Sequence, residues 1–153
     1  MKYILSIIFF VLVIGTHAFS QTNTLEITIK NQPENYIVMG SVSGDDFHSL
    51  DTILLRRGNS ANTKKAEYIF PENAEPGMYR LIFGKTTYAK VMDEPPQQLD
   101  FIYNNEDLIF ETDFEKPIEN LLVVLSEENR VWFEFLRREN QIQEKLEELE
   151  MEV

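Results

Sequence analysis

The sequence predicts an all-β antiparallel sandwich of about eight short strands followed by one long C-terminal α-helix. Three observations carry that expectation. Between Thr24 and Leu125, short apolar or alternating runs are separated by Gly, Pro, Asn and Asp roughly every eight to twelve residues. No helix-length amphipathic segment interrupts them, which argues against a βαβ architecture. At Ser126 the hydrophobic pattern changes from a period of two to that of a helix.

The chain opens on Met1 and Lys2, then an apolar run from Tyr3 to Gly15 broken by Ser6. One positive charge ahead of such a run is the pattern of a secretory signal peptide. The run falls short of the roughly 20 apolar residues that span a bilayer. Ala18-Phe19-Ser20 offers small residues at the −3 and −1 positions, placing cleavage between Ser20 and Gln21. A cut after Ala18 also fits, and an uncleaved anchor is the alternative that the short run and polar flank oppose. Residues 1–20 are thus assigned to a leader, 21–125 to the sandwich and 126–153 to the helix.

Within the sandwich, Thr24–Lys30 alternates Leu25, Ile27 and Ile29 against Thr24, Glu26, Thr28 and Lys30, the mark of a half-buried strand. Further strands are expected at Tyr36–Val42, Thr52–Arg56, Glu67–Phe70, Gly77–Gly84 and Tyr88–Met92. Leu99–Tyr103 and Leu108–Thr112 look like a hairpin through Asn104-Asn105-Glu106-Asp107. Asn120–Leu125 reads as a last strand with a buried run from Leu121 to Leu125.

Ser126 is the expected N-cap of the helix, with Glu127 and Glu128 in a first turn that favours negative charge. Val131, Trp132, Phe133, Phe135 and Leu136 cover about 200° of the helix surface, wide enough to dock on a sandwich face. Beyond them the apolar positions narrow to Ile142, Leu146, Leu149 and Val153, a heptad-like seam among Glu and Gln. Two readings stand side by side: one helix packing along its own domain, or a stalk that pairs with something else. The chain closes on Glu-Met-Glu-Val without a Gly cap, a Pro stop or a cationic last turn, the pattern of a helix that runs on.

Charge and composition restrict function. There are 14 basic against 26 acidic residues, and removing Lys2 takes the formal charge from −12 to about −13. Nucleic acid and anionic membrane surfaces are poor partners for such a chain. It has no cysteine, so it carries neither disulfides nor thiol chemistry. His48 is the only histidine beyond the leader, so His-based triads and His-rich metal sites have at most one histidine member. Asp45, Asp46 and Asp51 with His48 could approach a calcium ion, but the ligand spacing of an EF-hand loop is missing and a solvated turn is the plainer reading. Glu111, Asp113 and Glu115 could supply a glycosidase pair, though no cleft is predicted around them. Tyr36, Tyr68, Tyr79, Tyr88 and Tyr103 could stack on a glycan, or simply reflect the preference of aromatics for strands. Asp93-Glu94-Pro95-Pro96 is either an extended recognition loop or a strand connection. No catalytic, cofactor or metal residue is assigned.

Four segments carry a family resemblance: Gly40-Ser-Val-Ser-Gly44, Gly77-Met-Tyr-Arg-Leu81, the strand–turn–strand Leu99–Leu108 with Phe-Ile-Tyr-Asn-x-Glu-Asp at its heart, and Ser126-Glu-Glu-Asn129 ahead of an aromatic helix. In their order and spacing the chain resembles the N-terminal β-domain of unknown function that precedes thioredoxin-like modules in exported Bacteroidetes proteins. Those modules are of the thiol–disulfide interchange and alkyl-hydroperoxide-reductase/thiol-specific-antioxidant type. Asp51-Thr52-Ile53 also resembles the short O-glycan acceptor signal of some envelope proteins of that group. The resemblance implies a domain that positions a redox module, located in the periplasm or cell envelope. The Cys-x-x-Cys of such modules has no counterpart here, so no redox residue carries over. The expectation is a non-enzymatic accessory or interaction module with Trp132, Phe135, Ile142, Leu146 and Leu149 as its contact seam. It would bind a protein partner or a second copy, without a membrane span in the mature form. The alternatives are a sandwich that binds an envelope glycan or peptide, and a fragment of a longer thioredoxin-like oxidoreductase.

Overall fold

A computed structural model describes residues 22–151. The leader, the Ser20–Gln21 cleavage site and Val153 of the seam lie outside the described residues. In chain order the elements are β1 (Thr24–Lys30), β2 (Tyr36–Ser43), β3 (Asp46–Leu54), β4 (Arg56–Arg57), β5 (Thr63–Ile69), β6 (Gly77–Gly84), α1 (Thr87–Met92), β7 (Gln97–Tyr103), β8 (Leu108–Asp113), β9 (Leu122–Leu125) and α2 (Glu127–Met151). The strands form a five-stranded sheet, β4-β5-β1-β8-β9, and a four-stranded sheet, β3-β2-β6-β7. The predicted sandwich with its C-terminal helix is the fold observed.

Alternation decides which side chains enter the space between the sheets. Leu25, Ile27 and Ile29 of β1 and Leu108 and Phe110 of β8 enter from one sheet. Ile37, Met39, Tyr79, Leu81, Phe83, Leu99 and Phe101 enter from the other. Aromatic rings link the layers. Phe70 stacks on Tyr103 at 3.8 Å between centroids, Phe101 meets Phe110 edge-on at 5.7 Å, and Phe110 meets Phe133 of α2 at 6.4 Å. Offset and edge-to-face rings add about 0.5–1.5 kcal/mol per pair beyond the area they bury. Burial pushes the Tyr79 phenol above its ordinary pKa, and its hydroxyl donates to the Glu75 carbonyl at 2.8 Å.

Four expectations need correction. First, the sheets are not purely antiparallel, because β1 and β8 pair in parallel. Second, and as its cause, the Asn104–Asp107 segment is not a hairpin. It carries the chain from β7 in one sheet to β8 in the other. Buried residues continue on both sides of it, Phe101 and Tyr103 before and Leu108 and Phe110 after, so the chain arches over the core instead of folding back beside itself. Asp107 fixes the arch to β1 by accepting from the Thr24 amide at 2.8 Å and the Thr24 hydroxyl at 3.2 Å. Third, Tyr88–Met92 is a helix. Thr86 caps α1 by accepting from the Ala89 amide at 3.0 Å, Ala89 alone is buried, and Asp93 ends the turn in the left-handed region at φ 54°. Fourth, Leu121–Leu125 is not a buried run: Leu121 and Val123 face inward, whereas Leu122, Val124 and Leu125 are exposed.

The glycines of Gly40-Ser-Val-Ser-Gly44 have distinct tasks. Gly44 adopts φ 60° in the two-residue Gly44-Asp45 turn between β2 and β3, as a tight hairpin requires. Gly40 sits at a register shift opposite β3, where an added Cβ would lie 2.3 Å from the Phe47 ring and 2.4 Å from the His48 carbonyl oxygen. Arg80 lies 6.0 Å from the same ring's centroid and is held by two hydrogen bonds to Asp100, at 2.6 and 2.8 Å. Those bonds raise the Arg80 pKa above its ordinary value. Gly40→Val is therefore expected to cost about 1–3 kcal/mol by overpacking. Urea unfolding measures it, and a cost under about 0.5 kcal/mol would show that the strand pair can yield there.

Candidate functional site

The helix α2 enters the fold through polar contacts. The side chain of Asn129, fully buried, pairs with the backbone of Ile102 in β7, the edge strand of the four-stranded sheet. Its Oδ1 accepts from the Ile102 amide at 2.8 Å and its Nδ2 donates to the Ile102 carbonyl at 2.7 Å. The carboxamide thus supplies one donor and one acceptor, as a neighbouring strand would, and covers part of the edge. Ser126 caps the helix: its Oγ accepts from the Asn129 amide at 3.3 Å, and its carbonyl accepts from the Arg130 amide at 3.1 Å. The same hydroxyl donates to Glu106 at 2.8 Å, and Asn104 donates to Glu128 at 3.0 Å. Two segments far apart in sequence, Phe101–Asp107 and Ser126–Asn129, are therefore the two halves of one latch.

Apolar and cationic contacts finish the root. Phe133 is 1% exposed and reaches the core against Phe110. One turn on, the Arg137 guanidinium donates to the carbonyls of Ile118 and Leu121, just ahead of β9. The helix thus contacts the β7 edge of one sheet and the segment leading into β9, the edge strand of the other. From Arg138 to Met151 every residue is exposed. The first reading holds for the first three turns, which pack on their own domain, and the rest of the helix stands clear of it.

The faces of α2 divide sharply. At ~100° per residue, Asn129, Phe133, Leu136 and Arg137 share the docked side. Val131, Phe135, Ile142, Leu146 and Leu149 fall within about 60° of one another on the opposite side. These five are 60%, 54%, 62%, 51% and 57% exposed, so the apolar stripe runs unburied from the root outward. Of the expected seam, Phe135, Ile142, Leu146 and Leu149 lie on this stripe. Trp132 sits at its margin, half-buried, its ring stacked on Phe135 at 6.1 Å. Val131 belongs to the stripe in its place. Sequence reasoning missed Asn129 and Arg137 as anchoring residues. The signal for Asn129 was an uncharged polar residue three positions after the N-cap, on the face that Phe133 shares.

The remaining candidates are not brought together. Asp51 accepts from the Thr52 amide beside it at 2.7 Å, and His48 is exposed on β3. Asp113 accepts from the Asn31 side chain at 2.8 Å and the Glu115 amide at 3.0 Å, ordering a turn, while Glu111 faces outward on the five-stranded sheet. Among the described residues no group of three His, Cys, Asp or Glu is arranged to hold a metal ion. Tyr79 and Tyr103 are core residues, Tyr68 is half-buried, and Tyr36 and Tyr88 are exposed. Asp93 pairs with Lys85 at 3.0 Å. Among the described residues no helix is long and apolar enough to cross a membrane. No protein-family model, curated protein or solved structure matches the chain.

Proposed function

We propose that the protein is an exported, non-enzymatic accessory module of the cell envelope, whose β-sandwich holds the root of a helix rigidly and presents that helix as a contact surface. One observation carries this reading: the apolar stripe of α2 lies on the side opposite the latch, so the contacts that fix the helix also aim its stripe away from the domain. A stripe of that composition in water is unfavourable unless something covers it for part of the time. The likeness of residues 25–140 to the β-domain ahead of thioredoxin-like modules points to the same role, a domain that positions a neighbour. The leader reading places the work outside the cytoplasm.

The test purifies the exported form, whose mass should place its first residue at Gln21, and compares it with Leu146→Lys. Leu146 touches nothing in the core, so the substitution should shift unfolding stability by no more than about 0.5 kcal/mol. It should nevertheless abolish whatever association the helix makes, read by crosslinking in the envelope and by sedimentation. Unchanged association in Leu146→Lys would show that the stripe is not the contact surface.

A further inference from the structure

We infer that the stripe of α2 lies on the outer face of the five-stranded sheet of a second copy of this chain, in a reciprocal, two-fold dimer. This rests on the contact-surface reading above and names its partner. That outer face is a shallow groove of about 550 Å³. Two like-charge cross-strand pairs face into it. Glu26 of β1 lies directly opposite Glu67 of β5, and Arg56 of β4 directly opposite Lys65 of β5. Like charges directly opposite in a sheet are destabilising. Among the described residues none of these four side chains has an ion-pair or hydrogen-bond partner. Ile69 and Ile109 supply apolar floor along the same groove.

The helix carries the missing charges. Arg138 and Lys145 flank one side of the stripe, with Glu134 at its root end, and Glu139 and Glu150 flank the other, and among the described residues none of them is paired. A helix about 10 Å across covers strands spaced about 4.8 Å apart, so its flanks fall two strands from each other. With the cationic flank over Glu26 of β1, the acidic flank falls over Arg56 of β4, and β5 lies between them with Lys65 and Glu67 within reach of the long side chains of either flank, the strands being ordered β4-β5-β1. Lengths agree: Val131 to Leu149 spans about 27 Å at 1.5 Å per residue, and the seven residues of β1 about 23 Å. The helix cannot cover its own groove, since its stripe points away from its own sandwich. Nor does it suit a helix partner. In a heptad register through Phe135, Ile142, Leu146 and Leu149, Glu139 occupies a seam position, where a parallel pair of copies would bury two carboxylates against each other. A two-fold exchange of helix onto sheet closes the assembly, because each copy gives one stripe and one groove.

The experiment is sedimentation equilibrium of the purified chain, of Leu146→Lys and of Ile69→Lys, the latter at a groove residue that is 59% exposed. The expected result is a dimeric wild type, two monomeric variants, and a dimer restored when the two variants are mixed. The mixed pair regains one intact stripe-on-groove contact, and a misfolded variant could not supply it. A monomeric wild type would overturn the inference, while the contact-surface reading would still be decided by crosslinking in the envelope. A dimer that survives Ile69→Lys but not Leu146→Lys would also overturn it, in favour of helix pairing on helix.

Discussion

Phe133→Ala is expected to destabilise the protein by about 3–5 kcal/mol, a large part of a single domain's stability. Phe133 ends an aromatic series that runs from Phe101 through Phe110 to the helix, and it is the one large apolar side chain of α2 that is fully buried. Removing its ring takes the apolar contact out of the helix root and leaves a cavity between helix and sheet. The helix should suffer most. Its exposed stretch from Arg138 onward has no tertiary support of its own, and helices of that length are marginal alone in water. Loss of helical ellipticity should therefore precede unfolding of the sheets in a urea titration. Phe133→Leu, which keeps an apolar group there, should lose less. Glu134→Ala, one residue on and exposed, should change stability by under about 0.5 kcal/mol. If Phe133→Ala cost as little as that control, the helix would not be part of the core.

How legible this was from the sequence varied with the kind of signal. Strands with clean alternation and glycine punctuation were readable: Thr24–Lys30 and Gly77–Gly84 form with the expected bounds. Apolar content without period misled. Tyr88–Met92 looks strand-like by composition, but its side chains have one inward place to go, at Ala89, and Thr86 offers a cap. Asn104–Asp107 misled for a different reason. The same Asn- and Asp-rich residues suit a hairpin and an arch, and only the partner of β8 distinguishes them. That partner is β1, about 80 residues away in sequence, beyond the reach of local pattern.

The site divides in the same way. Helical spacing exposed the seam, because a stripe is a property of one element. It could not say which apolar residues of the first turns point inward. Phe133 and Phe135 are alike in sequence, and only the docking of Asn129 and Arg137 turns one into the core and the other outward. The like-charge pairs of the outer sheet were invisible for the reason that the arch was: they arise from register between β1, β4 and β5, each side chain looking ordinary in its own strand.

The latch gives the second large expected effect. Asn129→Ala removes both hydrogen bonds to Ile102 and the one to Ser126. It leaves an edge-strand amide and carbonyl covered by the helix and unpaired, at about 1–3 kcal/mol each, so a loss of about 3 kcal/mol is expected. Asn129→Asp should be worse at neutral pH although its shape is unchanged. It keeps an acceptor for the Ile102 amide but turns a carboxylate toward the Ile102 carbonyl at a fully buried position. Burial and that carbonyl both disfavour the charged form, so the new carboxyl would have a raised pKa in the folded state. A raised pKa gives stability that is present at low pH and lost as pH rises through the folded value. The deficit of Asn129→Asp relative to wild type should accordingly shrink as the pH is lowered into the carboxylate range, where the protonated acid can donate to Ile102 as the carboxamide does. Asn129→Ala has no such group and should show a constant deficit. Amide exchange at Ile102 gives an independent readout, with protection lost in Asn129→Ala, which removes the acceptor of that amide, and kept in Asn129→Asp, which retains it. Parallel pH profiles for the two variants would mean that the side chain of Asn129 does not complete the β7 edge.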